Sequence, residues 1–344
     1  MERISLVVAT AVVAIAVIAV RSAFAGSPPV QLAYVKDSGN STSVWVATAT
    51  GADQRNLGTG SQPLISPNGA FVAAENFAGV YQLKVFSVSG GVRYLFKGVG
   101  SATPLAWSPN SQYLVVAAMS SSSNGSGSYL AVVNTSTWTV AKIANGVVGG
   151  ASFSPSGGQI AYSVWPYAYT EKSNIYTINV NGGGNTQITF GHNSLDPIWG
   201  AKGIVFTREG KNRYYKRQPY GETGQLWLKS GSHLTQLTHM TVGLLEFGLT
   251  PVAISADGNR IIAAFGGEDT DYAVAVQISP RIVHTVNVGQ QYAVPAGISK
   301  DGYTLLISYG SFEQDVDHGT VDTVPFRGSH RTKLARGASP TWNK

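Results

Sequence analysis

The sequence predicts an all-β fold: a seven-bladed β-propeller of four-stranded antiparallel blades, closed by pairing the C-terminal strand with the N-terminal blade. Three observations carry this expectation. A turn signature recurs, as LISPNG (64–69), AWSPNS (106–111), SFSPSG (152–157), IWGAKG (198–203), ISADG (254–258) and ISKDG (298–302). The anchor residue ahead of each turn is Ile65, Trp107, Phe153, Trp199, Ile254, Ile298 and, last, Trp342, at spacings of 42, 46, 46, 55, 44 and 44 residues. Past the N-terminal apolar segment no helical periodicity appears, so the amphipathic helices that a barrel or doubly wound α/β fold requires are missing.

Each element follows from local chemistry. Asn-Gly and Asp-Gly tolerate the positive φ angles of tight hairpins, and proline presets the bend before them. The stretch after each turn is apolar or alternating, as in FVAAENF, YLVVAAM, QIAYSV, GIVFT, RIIAAFG and TLLISYG. A third strand follows, such as NIYTINVNG or QLWLKSG, and a shorter fourth, such as QITFG or TQLTH, ends the unit. Four strands recurring every ~40–45 residues is the period of a propeller blade. Segment 30–60 supplies three strands, VQLAYVKD, SVWVATAT and QRNLG, with no innermost strand ahead of them. The terminal ASPTW is an innermost strand with no blade after it. Joined, they make one blade with a buried Trp342, and six complete units bring the count to seven.

Composition narrows the functional classes. Charged residues make up 12% of the 344 positions and the formal net charge of +6 is spread thinly, against the clustered Lys/Arg of a nucleic-acid binder. Cysteine is absent, which excludes disulfides, thiolate metal sites and Cys nucleophiles. At the N-terminus a charge-free stretch from Ile4 to Val20 precedes Arg21 and then Ala23-Phe24-Ala25, an A-x-A pattern before Gly26. Residues 1–25 therefore read as an export signal and 26–344 as a single propeller domain, with an uncleaved anchor as the alternative. The expected location is the periplasm, cell envelope or exterior, as a monomer with no membrane span after cleavage.

The turn pattern carries a family resemblance. WSPN, FSPSGGQIAYSV followed by NIYTINVNGGGNTQITFG, and ISADGNRIIAAF resemble the WD40-like (PD40) repeat of TolB-type propellers. The likeness covers nearly the whole chain after the signal, and its motif implies a fold rather than a chemistry. Seven units are read here where TolB-type propellers have six. Related repeats form the propeller half of prolyl-oligopeptidase-like peptidases, whose hydrolase motif G-x-S-x-G is absent.

Candidate sites sit on one face of the ring, where the loops between second and third strands meet the connections between blades. Blade 4 offers Trp165, Tyr167 and Tyr169, and blade 5 offers Arg213, Tyr214, Tyr215, Lys216, Arg217 and Tyr220 in the longest insertion of the repeat. Aromatic faces beside Arg and Lys suit sugar rings, peptides or anionic polymers. The expected partner is an envelope or extracellular protein, or a glycan, with no nucleic acid. Asp315, Asp317 and Asp322, near Gly319, suggest a Ca²⁺ loop, although the spacing is not that of an EF-hand. A solvated acidic loop is the alternative, and no other cofactor is expected. His192, His239 and Glu246 allow a rival reading, a lyase or hydrolase acting on a polysaccharide or cyclic peptide through an acid–base couple. The basic run 327–337 reads as protection of an exposed sheet edge, with no site assigned.

Overall fold

The computed structural model describes residues 29–37, 41–77, 79–123, 125–165, 173–191, 193–210, 223–243, 246–268, 271–289, 292–310 and 319–343. Their strands form seven four-stranded antiparallel sheets. Blade 1 contains β1 (Leu32–Asp37), β2 (Thr42–Ala47) and β3 (Arg55–Thr59). Blade 2 contains β4 (Ser61–Ile65), β5 (Phe71–Glu75), β6 (Tyr81–Ser87) and β7 (Val92–Lys97). Blade 3 contains β8 (Ser101–Trp107), β9 (Tyr113–Met119), β10 (Tyr129–Asn134) and β11 (Val140–Asn145). Blade 4 contains β12 (Val147–Phe153), β13 (Gln159–Trp165), β14 (Asn174–Asn179) and β15 (Thr186–Gln187). Blade 5 contains β16 (Ser194–Gly200), β17 (Gly203–Arg208), β18 (Gln225–Ser230) and β19 (His233–Gln236). Blade 6 contains β20 (Glu246–Ile254), β21 (Arg260–Gly267), β22 (Asp271–Gln277) and β23 (Ile282–Thr285). Blade 7 contains β24 (Ala293–Ile298), β25 (Thr304–Tyr309), β26 (Thr320–Pro325) and β27 (Thr332–Arg336), and β28 (Ala338–Trp342) completes blade 1.

The near-continuous apolar runs of the second strands follow from their place in the ring, because each sheet is covered on both faces by its neighbours. One apolar cluster fills every gap between adjacent blades, seven clusters for seven gaps. The cluster between blades 7 and 1 joins Leu306, Val321 and Ala335 to Leu32, Tyr34 and Ala47, so the last gap is filled like the others. Outermost strands such as β7 and β11 are mostly exposed and carry Arg93, Lys97 and Lys142, charges that discourage pairing with a foreign strand.

The Ser of the turn signature is a buried hydrogen-bonding hub. The Ser66, Ser108, Ser154, Ser255 and Ser299 hydroxyls each accept the amide five residues on, at 2.9–3.1 Å. Ser66, Ser108, Ser255 and Ser299 donate in turn to Asn68, Asn110, Asp257 and Asp301. Each turn thus satisfies its own polar groups while its backbone stays tight.

Six innermost strands carry a proline, Pro63, Pro104, Pro197, Pro251, Pro295 and Pro340, where blade 4 has Gly149-Gly150. The inner edge of each sheet has no pairing partner, so a residue without an N–H is tolerated there and blunts the edge. Two bulge types result. Where proline stands two residues before the anchor, the residue ahead of it takes a positive φ: 46° at Gln62, 49° at Asp196 and 47° at Ser339. Where it stands three before, the register shifts just after Pro104, Pro251 and Pro295.

Ring closure is as expected. β28 pairs antiparallel with β1, Leu32 opposite Trp342 and Ala33 opposite Thr341. Asn343 donates its amide to the Gln31 carbonyl at 3.1 Å and its side chain to the Ser66 carbonyl at 3.2 Å. Gly337, at φ 133°, turns the chain from blade 7 into blade 1, and a Cβ there would stand 2.2 Å from the Val35 carbonyl oxygen. Trp342 is half-buried rather than fully buried, with its indole Nε1 edge packed against Gly297 of blade 7.

Candidate functional site on the loop face

Short hydrogen bonds tie the connections between blades to the loops between second and third strands, which puts both sets on one face. Gly60, Gly98, Gly146 and Gly337 donate to the carbonyls of Thr42, Val80, Ser128 and Gly319 at 2.9–3.1 Å. In blades 4 and 5 the same role falls to the bridges Ser173–Asn193 and Gly224–Gly248. Asn193 also donates its side-chain amide to the Glu209 carbonyl at 2.5 Å. The feet of the two candidate loops, Ser173 on one and Glu209 on the other, therefore meet at one asparagine.

Of the predicted loop residues, Trp165 is described, and Tyr167, Tyr169, Arg213, Tyr214, Tyr215, Lys216, Arg217 and Tyr220 lie outside the described residues. Trp165 ends β13 with its ring laid inward on the innermost strand, where a Cβ on Gly149 would stand 2.7 Å from its Cη2. Gly149 thus makes room for an aromatic ring on the innermost strand of blade 4. Arg208, at the foot of the blade 5 loop, stacks over Trp227 at 5.1 Å.

Beside Trp165 sits a residue that the sequence reading missed. Asp196, on the innermost strand of blade 5, approaches Gly150 so closely that a Cβ there would be 2.9 Å from its Oδ1. The Ser163 hydroxyl accepts the amides of Gly150 at 3.0 Å and Asp196 at 3.3 Å, which holds the two strands together. Asp196 is half-buried, and desolvation of its carboxyl pushes its pKa up to about 6. The available signal was an Asp before proline in an innermost strand, opposite the one strand whose proline is replaced by glycines. A second carboxyl, Glu75, bridges blades 2 and 3. It accepts from the Thr103 hydroxyl, and burial raises its pKa against the opposing effect of that hydrogen bond.

The face also exposes aromatic rings. Phe77 on the blade 2 loop is 72% exposed, Phe190 between blades 4 and 5 is 74% exposed, and Phe247 at the start of β20 is 46% exposed. His239 is exposed, Glu246 accepts the Gly243 amide at 2.5 Å, and His192 lies outside the described residues.

Of the three metal candidates, Asp315 and Asp317 lie outside the described residues. Asp322 sits within β26, fully buried, and accepts from the Arg331 guanidinium. Among the described residues no three His, Asp or Glu side chains gather as a metal site.

No protein-family profile matches the chain. No curated protein matches it by sequence. Solved structures do match by shape. Over 92% of this chain and 83% of the other, it superposes on TolB from Acinetobacter baumannii with a TM-score of 0.53 at 15% identity. The β-propeller domain of the trilobed protease from Pyrococcus furiosus, which has an open velcro topology, matches over 89% of this chain and 94% of that one, with a TM-score of 0.63 at 12% identity. A prolyl endopeptidase matches with a TM-score of 0.64 at 11% identity, this chain spanning half its length. The chain is a seven-bladed β-propeller, its ring closed by β28, and is similar in fold to TolB, to the β-propeller domain of the trilobed protease and to part of the prolyl endopeptidase.

Proposed function

We propose that the protein is an exported binding module whose loop face recognises a protein or glycan partner. One observation carries this: the two faces differ in chemistry. The turn face consumes its polar groups in its own serine hubs and its exposed Tyr303 ring lies under the Arg260 guanidinium at 3.9 Å, whereas the loop face exposes Phe77, Phe190 and Phe247 at 72%, 74% and 46%. Exposed aromatic rings among polar neighbours mark recognition surfaces more than they serve a fold. Export rests on the sequence of residues 1–25, and among the described residues no helix is long and apolar enough to cross a membrane.

The test is a pull-down from envelope extract alongside a glycan array, with wild type, a Phe77→Ser/Phe190→Ser/Phe247→Ser variant and a variant trimmed at 211–222. Loss of the same ligand in both variants, at unchanged melting temperature, supports the reading. A ligand retained by both removes the loop face as the binding surface. The raised pKa of Asp196 favours a second reading, a lyase or hydrolase using it as a proton donor. That reading needs turnover of a polysaccharide or cyclic peptide that Asp196→Asn abolishes.

A further inference from the structure

A cleft on blade 7 has the build of an anion site. It has a volume of about 370 Å³ and is lined by Tyr309, Gly310, Thr320, Asp322, Arg331 and Lys333. Tyr309, Thr320 and Asp322 share the side of blade 7 that faces blade 6, since Tyr309 pairs with Thr320 and Asp322 pairs with Ile307 of the cluster between those blades. Lys333 pairs with Asp322 across β27 and so projects to that side as well.

Arg331 is held in two ways. Its guanidinium donates to Asp322 Oδ2, and its plane lies 3.4 Å from the Tyr309 ring centroid. Asp322 is buried and Arg331 keeps 31% of its side chain in contact with water, so the fork is fixed at one end and open at the other. A guanidinium pre-ordered in this manner loses little rotamer freedom when it takes up a planar oxyanion. Lys333 is exposed and has no ion-pair partner among the described residues. Two buried oxygens nearby, Thr320 Oγ1 and Asp322 Oδ1, have no hydrogen-bond partner among the described residues. Such orphans are rare in folded chains and mark where a further donor belongs.

Asp322 neutralises one of the two cations, which leaves the cleft a single positive charge. A monoanion balances it, whereas a phosphate dianion would stand beside the buried carboxylate with charge left over. The two orphan oxygens, the Thr320 hydroxyl and Asp322 Oδ1, add polar contacts that suit a hydroxylated molecule. We infer that this cleft binds a small organic monocarboxylate of sugar-acid size, with the carboxylate on Arg331 and Lys333 and hydroxyls toward Thr320 and Asp322. The charge of Arg331 disfavours a cation at Asp322, so the inference runs against a calcium role for that residue. The basic run of the last outer strand then includes a recognition element besides its edge charges.

The experiment is a titration of the full chain with glucuronate, acetate, glucose and inorganic phosphate, read by calorimetry and by NMR shifts of Thr320 and Arg331. Saturable glucuronate binding, weaker binding of acetate and none of glucose supports the site. Lys333→Gln, an exposed change that leaves the Arg331–Asp322 pair intact, should weaken glucuronate binding about tenfold. Arg331→Gln should abolish it, and Lys333→Gln keeps the test valid if Arg331→Gln does not fold. Absence of saturable binding up to about 50 mM, well beyond a millimolar affinity, overturns the inference. Phosphate binding as tight as glucuronate, or glucuronate binding indifferent to Lys333→Gln, overturns it equally.

Discussion

The two faces of the ring solve the same problem in opposite ways. On the turn face, five serines repeat one network: each hub hydroxyl accepts an amide, four of them also donate to Asn or Asp, and Ser154 shares a hydrogen bond with the Ser156 hydroxyl. On the loop-face half, single residues break the repeat: Gly149-Gly150 where other blades have proline, an inward Trp165, and a desolvated Asp196. Repetition marks where each blade meets the same demand, a tight turn with its polar groups satisfied. Departure from the repeat marks where stability is given up, which is common at binding and catalytic sites.

The strongest way to break this comparison acts on both faces at once. Deleting 338–344 removes β28 and leaves β1 with an open inner edge. Loss of the Trp342 contacts alone should cost about 3 kcal/mol, against a total stability of about 5–15 kcal/mol. The expected outcome is a large fall in melting temperature, or aggregation seen by size-exclusion chromatography. Unchanged melting would mean that β28 contributes nothing to closure.

A smaller effect belongs to the turn face. Ser108→Ala leaves the Tyr113 amide without the hydroxyl it donates to at 2.9 Å, and an unsatisfied buried donor costs about 1–3 kcal/mol. Chemical denaturation should show that loss with an unchanged slope. A neutral result would demote the serine to a turn former with no bonding role.

The smallest effect has the opposite sign. Asp196 has a pKa of about 6 when folded and an ordinary, lower one when unfolded, so the folded state holds its proton more tightly. Its contribution is most favourable below the unfolded pKa, is lost as pH rises through about 6, and stays unfavourable at pH 7. Asp196→Asn keeps a side chain that tolerates the 49° φ, and should stabilise the protein at pH 7 by about 1–2 kcal/mol once the residual water contact is allowed for. Near pH 4 the two proteins should melt alike. Destabilisation at pH 7 would show that the carboxylate has a partner that offsets its burial.

Much of this architecture is legible from residues alone. The Ser-Pro-Asn-Gly punctuation located the turns, the anchor spacing gave the blade count, and the unmatched ASPTW foretold the pairing of β28 with β1. The loop feet also meet as the order of blades implied, through Asn193. Side-chain direction near bulges was not legible. β12 shifts register between Val148 and Ala151, and that shift brings Gly149 under the Trp165 ring, a placement that the apolar pattern of β13 does not show. Long-range pairing was equally hidden: nothing local says that Arg331 from the basic run reaches Asp322, which reads by itself as a calcium ligand. The two-residue and three-residue spacings between proline and anchor were visible, yet their meaning, a positive φ at Asp196, needed the sheet register.

The junction of β1 with β28 also has a kinetic side. Val30 and Asn343 touch although 313 positions apart, the kind of contact whose loop-closure entropy, about 5 kcal/mol for a flexible chain of that length, must be met before any contact repays it. The other six sheets are built from neighbouring segments and can form without waiting. Until the seam shuts, β1 presents a bare edge, on which the β28 of a second copy competes with the chain's own tethered β28 only when the protein is concentrated. Concentrated refolding therefore favours a strand-exchanged dimer, each ring zipped by the other's tail.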